Sequence, residues 1–167
     1  MQPQKQVQEE RDNLSDLSGK EIHLVVFKLA DEEYAIEIHQ AKEIINLQSI
    51  TKIPNAPESV SGIINLRGKI IVIVDLRKRL SLEAAESRHI LIVEMNEQSL
   101  GIIVDSIVEI IKVDEKLIKK APAILASKIH IDYLNGVAVL GKRLIILLEL
   151  SKIMDEKELL KLLKHKT

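Results

Sequence analysis

The chain has 167 residues, 46% of them apolar, and carries 24 Lys and Arg against 25 Asp and Glu. That balance argues against a general nucleic-acid binder, which needs excess basic charge to displace counterions from phosphates. One Phe, two Tyr and no Trp leave few platforms for stacking bases, and the absence of Cys excludes disulfide frameworks and thiolate metal sites.

Residues 1–19 are rich in Gln, Glu, Asp and Ser and read as a flexible tail without the apolar centre of a signal peptide. No apolar run approaches the ~18 residues that cross a bilayer as a helix. The first strand is expected over 22–30, a turn at Asp31-Glu32-Glu33 and a second strand over 34–38. A short helical turn is expected over 39–43 and a short strand over 50–53. Pro54-Asn55-Ala56-Pro57 ends the latter, because Pro donates nothing to a sheet ladder. Residues 62–76 then form the organising stretch: two apolar strands joined at Arg67-Gly68. Ile70 to Val74 is apolar without alternation, so protein is expected on both faces of that strand. A brief helix should follow over 76–82.

The pattern then restarts. Strands are expected over 90–95, 100–104, 107–113, 135–140 and 143–150, with a polar turn at Asn96-Glu97-Gln98 and a hairpin turn at Gly141-Lys142. Two blocks align with the first half. Ala35-Ile36 matches Gly101-Ile102, and Glu43-Ile44-Ile45 matches Glu109-Ile110-Ile111. Gly62 matches Gly136, Leu66 matches Leu140, and Asp75-Leu76 matches Glu149-Leu150. Two copies of one small β unit follow, each too small to bury much alone and each leaning on the other. Gly is second in the Arg67-Gly68 turn and first in Gly141-Lys142, so different turn types are expected. A C-terminal helix over 151–165 has acidic residues early and basic residues late, with an apolar stripe of Leu159, Leu160, Leu162 and Leu163.

Chemistry is scarce. The five histidines have no partners at metal-ligand spacing, and His130 with Asp132 reads as a surface pair. There is no nucleophile elbow, phosphate-cradling loop or dinucleotide fingerprint. Glu32-Glu33 reads as a solvated turn, and Asp75 and Glu149 as caps. No catalytic constellation supports an enzyme, and no cofactor or metal is expected.

Gly62-Ile63-Ile64-Asn65-Leu66-Arg67-Gly68, followed by Ile70 to Val74 and Asp75-Leu76-Arg77, resembles the signature of the CheW family of chemotaxis coupling proteins. Glu33-Tyr34-Ala35-Ile36, Glu43-Ile44-Ile45 and Ile53-Pro54-Asn55-Ala56-Pro57 fall where that family has equivalents. One departure is Ile73, where many members carry proline. The resemblance implies an all-β fold of two SH3-like five-stranded barrels with short helices and a C-terminal helix. It implies a CheW-like domain over 20–165, made of intertwined subdomains at about 20–85 and 86–150 plus helix 151–165. It further implies a cytoplasmic, non-enzymatic adaptor joining the histidine kinase CheA, through its regulatory domain, to the cytoplasmic tips of chemoreceptors in membrane-associated arrays. Neither nucleic acid nor direct membrane insertion is expected. The family docks the receptor's helical hairpin between the barrels, which makes Arg67, Glu43, Asn65 and Ile64 the candidate receptor contacts. For Ile64 and Ile63 strand core is an equal alternative. Kinase-contact residues are not assigned. Alternatives are the same module within a CheV- or CheA-type protein, or a small barrel binding nucleic acid or a ligand. With no receiver-like Asp cluster in the chain, the stand-alone form is expected.

Overall fold

Branched aliphatic runs punctuated by Gly dictate strands here, because such side chains pack on a pleated surface and crowd a helix. The computed structural model describes residues 20–80, 82, 89–95, 97–120, 134–154 and 156–164. The expected tail and the His130/Asp132 pair lie outside the described residues. Strands β1 (Glu21–Leu29) and β2 (Glu32–Glu37) form a hairpin, and a 3-10 turn at Ile38–Gln40 leads to β3 (Ala41–Asn46). Strands β4 (Val60–Leu66) and β5 (Lys69–Asp75) precede helix α1 (Leu76–Arg79). The second half runs β6 (His89–Met95), β7 (Gln98–Val104), β8 (Ser106–Asp114) and β9 (Ile118–Lys119). It continues with β10 (Leu134–Leu140), β11 (Arg143–Leu148), α2 (Leu150–Ile153) and α3 (Glu156–Lys164).

Two sheets result, ordered β8-β1-β2-β11-β10-β9 and β3-β6-β7-β5-β4. They cut across the halves expected at 20–85 and 86–150. Hairpin β1–β2 is inserted between β8 and β11, and hairpin β6–β7 between β3 and β5. The joints are parallel, β2 with β11 and β5 with β7. Strands adjacent in sequence pair as antiparallel hairpins, but parallel partners need a long crossover, so sequence order does not delimit the lobes. The first lobe has six strands rather than five because two-residue β9 joins it. Its counterpart in the second lobe is the single Thr51–Ile63 bridge, all that forms of the strand expected over 50–53.

The internal repeat extends to register. Ala35 pairs with Leu147 in one parallel joint, and its match Gly101 pairs with Ile73 in the other. Bulges fall between Ala41 and Glu43 on β3 and between Ile107 and Glu109 on β8, at matching positions. Gly62 and Gly136 both sit at bulges with φ of +142° and +118°. A Cβ on Gly62 would lie 2.1 Å from the Thr51 carbonyl oxygen, so this close backbone approach requires glycine.

Among the described residues three apolar clusters hold the fold. One lobe encloses Ile64, Ile71, Ile73, Ile90, Ile92 and Ile103. The other encloses Leu24, Val26, Ala35, Val113, Ala138, Ile145 and Leu147. The largest lies between the lobes, and Val25, Phe27, Tyr34, Val72, Val74, Leu91, Leu100 and Ile146 contribute to it. β5 explains its uniform hydrophobicity: Ile71 and Ile73 face the lobe interior while Val72 and Val74 face the seam. At about 1.5–3 kcal/mol per fully buried aliphatic side chain, neither lobe forgoes the seam cheaply.

The helical end departs from one helix over 151–165. α2 stops at Ile153 because Met154 is extended, with φ −149° and ψ 116°. Leu159 and Leu162 of α3 are buried in the seam cluster, whereas Leu160 points outward. The helical stripe is therefore narrower than the leucine run suggested.

Candidate partner-docking groove

The Arg67-Gly68 turn has φ of +51° and +85°, the geometry of a type I′ hairpin turn. The other hairpin has a positive φ at Gly141 (+62°) and not at Lys142, so the turn types differ as the glycine positions indicated. Arg67 occupies a left-handed conformation that Asn, Asp or Gly would adopt with less strain. The Asn65 side chain holds the turn by accepting a hydrogen bond from the Gly68 amide at 2.8 Å. Arg67 is 70% exposed in its side chain and its guanidinium reaches across to Glu43.

Glu43 is not on a helical turn, as 39–43 suggested, but on β3, just after its bulge. A bulge re-aims the side chains beside it. The matching bulge on β8 precedes Glu109. Both strands are edges of their sheets, and a groove of about 520 Å³ opens between them. Its lining repeats in pairs: Val25 with Leu91, Ala41 with Ile107, Glu43 with Glu109, and Ile44 with Ile110. The groove thus lies on the pseudo-two-fold relation of the repeats. Ile44 is 46% and Ile110 61% exposed, with Ile38 beside them. Exposed isoleucines clustered on two unpaired sheet edges are a liability unless a partner covers them.

Glu109 also has an arginine. Arg143, the first residue of β11, bonds Glu109 at 2.5 Å and binds Glu33 with two hydrogen bonds of 2.7 and 3.0 Å. The Glu33 carboxyl is held below the usual carboxylate range, chiefly by its hydrogen bonds from Arg143, and the Arg143 guanidinium is pushed up by both carboxylates. Glu33 is therefore a strand residue in a fixed ion pair, not part of a solvated turn. Sequence reasoning missed Arg143. The available signal was Glu109, already matched to Glu43.

A second arginine was quoted only within the family signature. Arg77 is 7% exposed in its side chain and binds both Asp75 oxygens at 2.9 Å, with Asp105 at 3.3 Å. The other Asp105 oxygen accepts from the Ala30 amide at 2.7 Å. This cluster ties the β1–β2 turn of one lobe to the β5–α1 junction of the other. Asp75 caps α1 by accepting from the Arg77 amide, as expected, but Glu149 makes no cap bond. Asp reaches an N-terminal amide more readily than the longer Glu, which is outside the preferred cap residues.

Of the four candidate contacts, Arg67, Glu43 and Asn65 come together at the β4–β5 turn and the groove rim. Ile64 does not: at 4% exposure it belongs to a lobe interior, because the period-two alternation of β4 turns it inward. Among the described residues no group of three His, Asp or Glu is placed to hold a metal, and no helix is long and apolar enough to cross a membrane.

An all-β molecule of two interlocked SH3-like lobes, with a groove between two sheet edges and a charged turn at its rim, has the form of a two-lobed binding module. A family model described as the CheW-like domain matches residues 23–158, and the chain belongs to that family. The chemotaxis protein CheW of Treponema pallidum is 35% identical over 153 residues, covering 87% of this chain and 89% of that protein. The chemotaxis protein CheW of Klebsiella aerogenes is 30% identical, with coverage of 87% and 90%. The crystal structure of the scaffolding protein TtCheW from Thermoanaerobacter tengcongensis is similar at a TM-score of 0.73 and 38% identity, with 83% of this chain and 91% of that chain covered.

Proposed function

We propose that this chain is a non-enzymatic cytoplasmic adaptor that couples the histidine kinase CheA to the cytoplasmic tips of chemoreceptors. The observation that carries the reading is the groove between the lobes, with exposed Ile44 and Ile110 on its floor and the Arg67–Glu43 pair at one rim. An amphipathic receptor helix lays its apolar face on such a floor. Arg67, exposed on its turn, offers the helix charge-assisted hydrogen bonds alongside Asn65 and Glu43. The kinase is engaged lobe to lobe through its regulatory domain, and membrane association comes through the receptors. A scaffold of this kind raises the effective concentration of kinase at the receptor and lets the receptor bias the kinase's states.

Calorimetric titration against a receptor tip and, separately, against the CheA regulatory domain tests this. Both should bind, and Arg67→Ala should weaken the receptor alone by about 2 kcal/mol. Receptor affinity untouched by Arg67→Ala in a folded protein removes Arg67 from the contact. Reconstituted receptor and kinase should lose receptor control of autophosphorylation when this protein is omitted; equal control without it overturns the coupling role.

A further inference from the structure

The groove has two rims, and the second has a carboxylate better fixed than the first. Glu43 is held by Arg67, an exposed residue on a turn. Glu109 is held by Arg143, which is itself anchored to Glu33 by two hydrogen bonds. Both carboxylates line the cavity while their arginines stand outside its lining. A carboxylate has about four lone-pair sites, and one arginine does not fill them. Lys42, the cation within the lining, is engaged by Glu94 at 3.0 Å. The groove therefore presents an apolar floor between two carboxylates.

We propose that Glu109 is a second recognition residue for the docked receptor helix, selecting an apolar ridge flanked by a basic side chain on the Glu109 side, with Arg143 as its positioning residue. This rests on the reading of the groove as the receptor site. Charge complementarity carries it: at this rim two carboxylates share one guanidinium, so a basic flank adds donors to a carboxylate already oriented, and an acidic flank would meet like charge there. The pseudo-two-fold lining sets Glu109 at the place that Glu43 takes on the other rim.

The test is titration of the full chain with a receptor cytoplasmic tip, comparing wild type, Glu109→Gln and Ile110→Ser. Glu109→Gln keeps volume and removes charge at a half-exposed site. We expect Ile110→Ser to weaken binding, and Glu109→Gln to weaken it about tenfold at low salt and less at high salt. Neutralising the basic flank of the tip should cost wild type a similar factor and Glu109→Gln almost nothing further, as a double-mutant cycle reads coupling independently of any effect on the fold. Glu109→Gln binding like wild type while Ile110→Ser binds weakly overturns the second recognition residue and leaves the groove reading intact. Unchanged binding by both variants overturns the groove reading and this inference with it.

Discussion

The two lobes share strand order, register, bulges and one bulge glycine, Gly62 matching Gly136, yet their polar groups have diverged. In the lobe closed by β4 and β5, Arg67 stands exposed on a strained turn with one carboxylate partner. In the lobe closed by β10 and β11, the matching turn has Gly141, and the arginine has moved to the strand start, where Glu33 and Glu109 clamp it. The β5–α1 junction holds the buried Asp75–Arg77–Asp105 cluster, whereas at the β11–α2 junction the Ser151 hydroxyl donates an exposed hydrogen bond of 2.9 Å to Glu149. A duplicated backbone therefore tolerates either arrangement. What differs is use: one lobe keeps a reaching side chain at its tip and its firm polar tie at the base, and the other ties its tip.

The sharpest way to break this comparison is at the two junctions. Arg77→Ala strands two carboxylates against the seam and should cost about 3–5 kcal/mol in urea unfolding. Ser151→Ala, its counterpart, should stay within about 0.5 kcal/mol. Similar losses from both would mean that Arg77 is not the tie between lobes.

The bulge glycines come next. Gly62→Ala forces a methyl within 2.1 Å of a backbone oxygen, and about 3 kcal/mol or more of stability should go. Gly136→Ala meets the Ile118 side chain at 2.8 Å and the Lys119 oxygen at 3.0 Å, so a smaller loss of roughly 1–2 kcal/mol is expected. The reverse order would contradict the tighter approach in the first lobe.

Acid should separate the lobes' arginines. The folded Glu33 carboxyl has a depressed pKa, so its stabilisation is complete above the unfolded glutamate value of about 4.3 and is lost as pH falls through the folded value. Arg143→Met should flatten the fall of thermal stability below about pH 4.5. An identical acid profile in that variant would show that the clamp adds nothing.

The smallest expected effect is on stability at the turn. Arg67→Asn substitutes a residue suited to the left-handed position and removes an exposed ion pair worth about 0–1 kcal/mol. Stability should stay within about 0.5 kcal/mol while receptor affinity falls. A large loss of stability would make Arg67 a structural residue instead.

By itself the sequence determined most of the strands, the internal repeat, the different turn types and the family. These follow from local causes: branched residues, glycine at positive φ and the spacing of apolar runs. The two-faced burial of Ile70 to Val74 was legible because a strand without alternation has no solvent side, though Ile70 itself is only half-buried. Tertiary structure alone decided the exchange of hairpins between lobes, since parallel pairing joins segments far apart in the chain. It decided that Ile64 faces a lobe interior, and that Ile44 and Ile110 stay exposed beside bulges that reset which face β3 and β8 show. It also brought Glu33 and Glu109 to Arg143 and Asp105 to Arg77. No local pattern foretells which charges meet when two copies of one unit close on each other, because that depends on the packing of the seam.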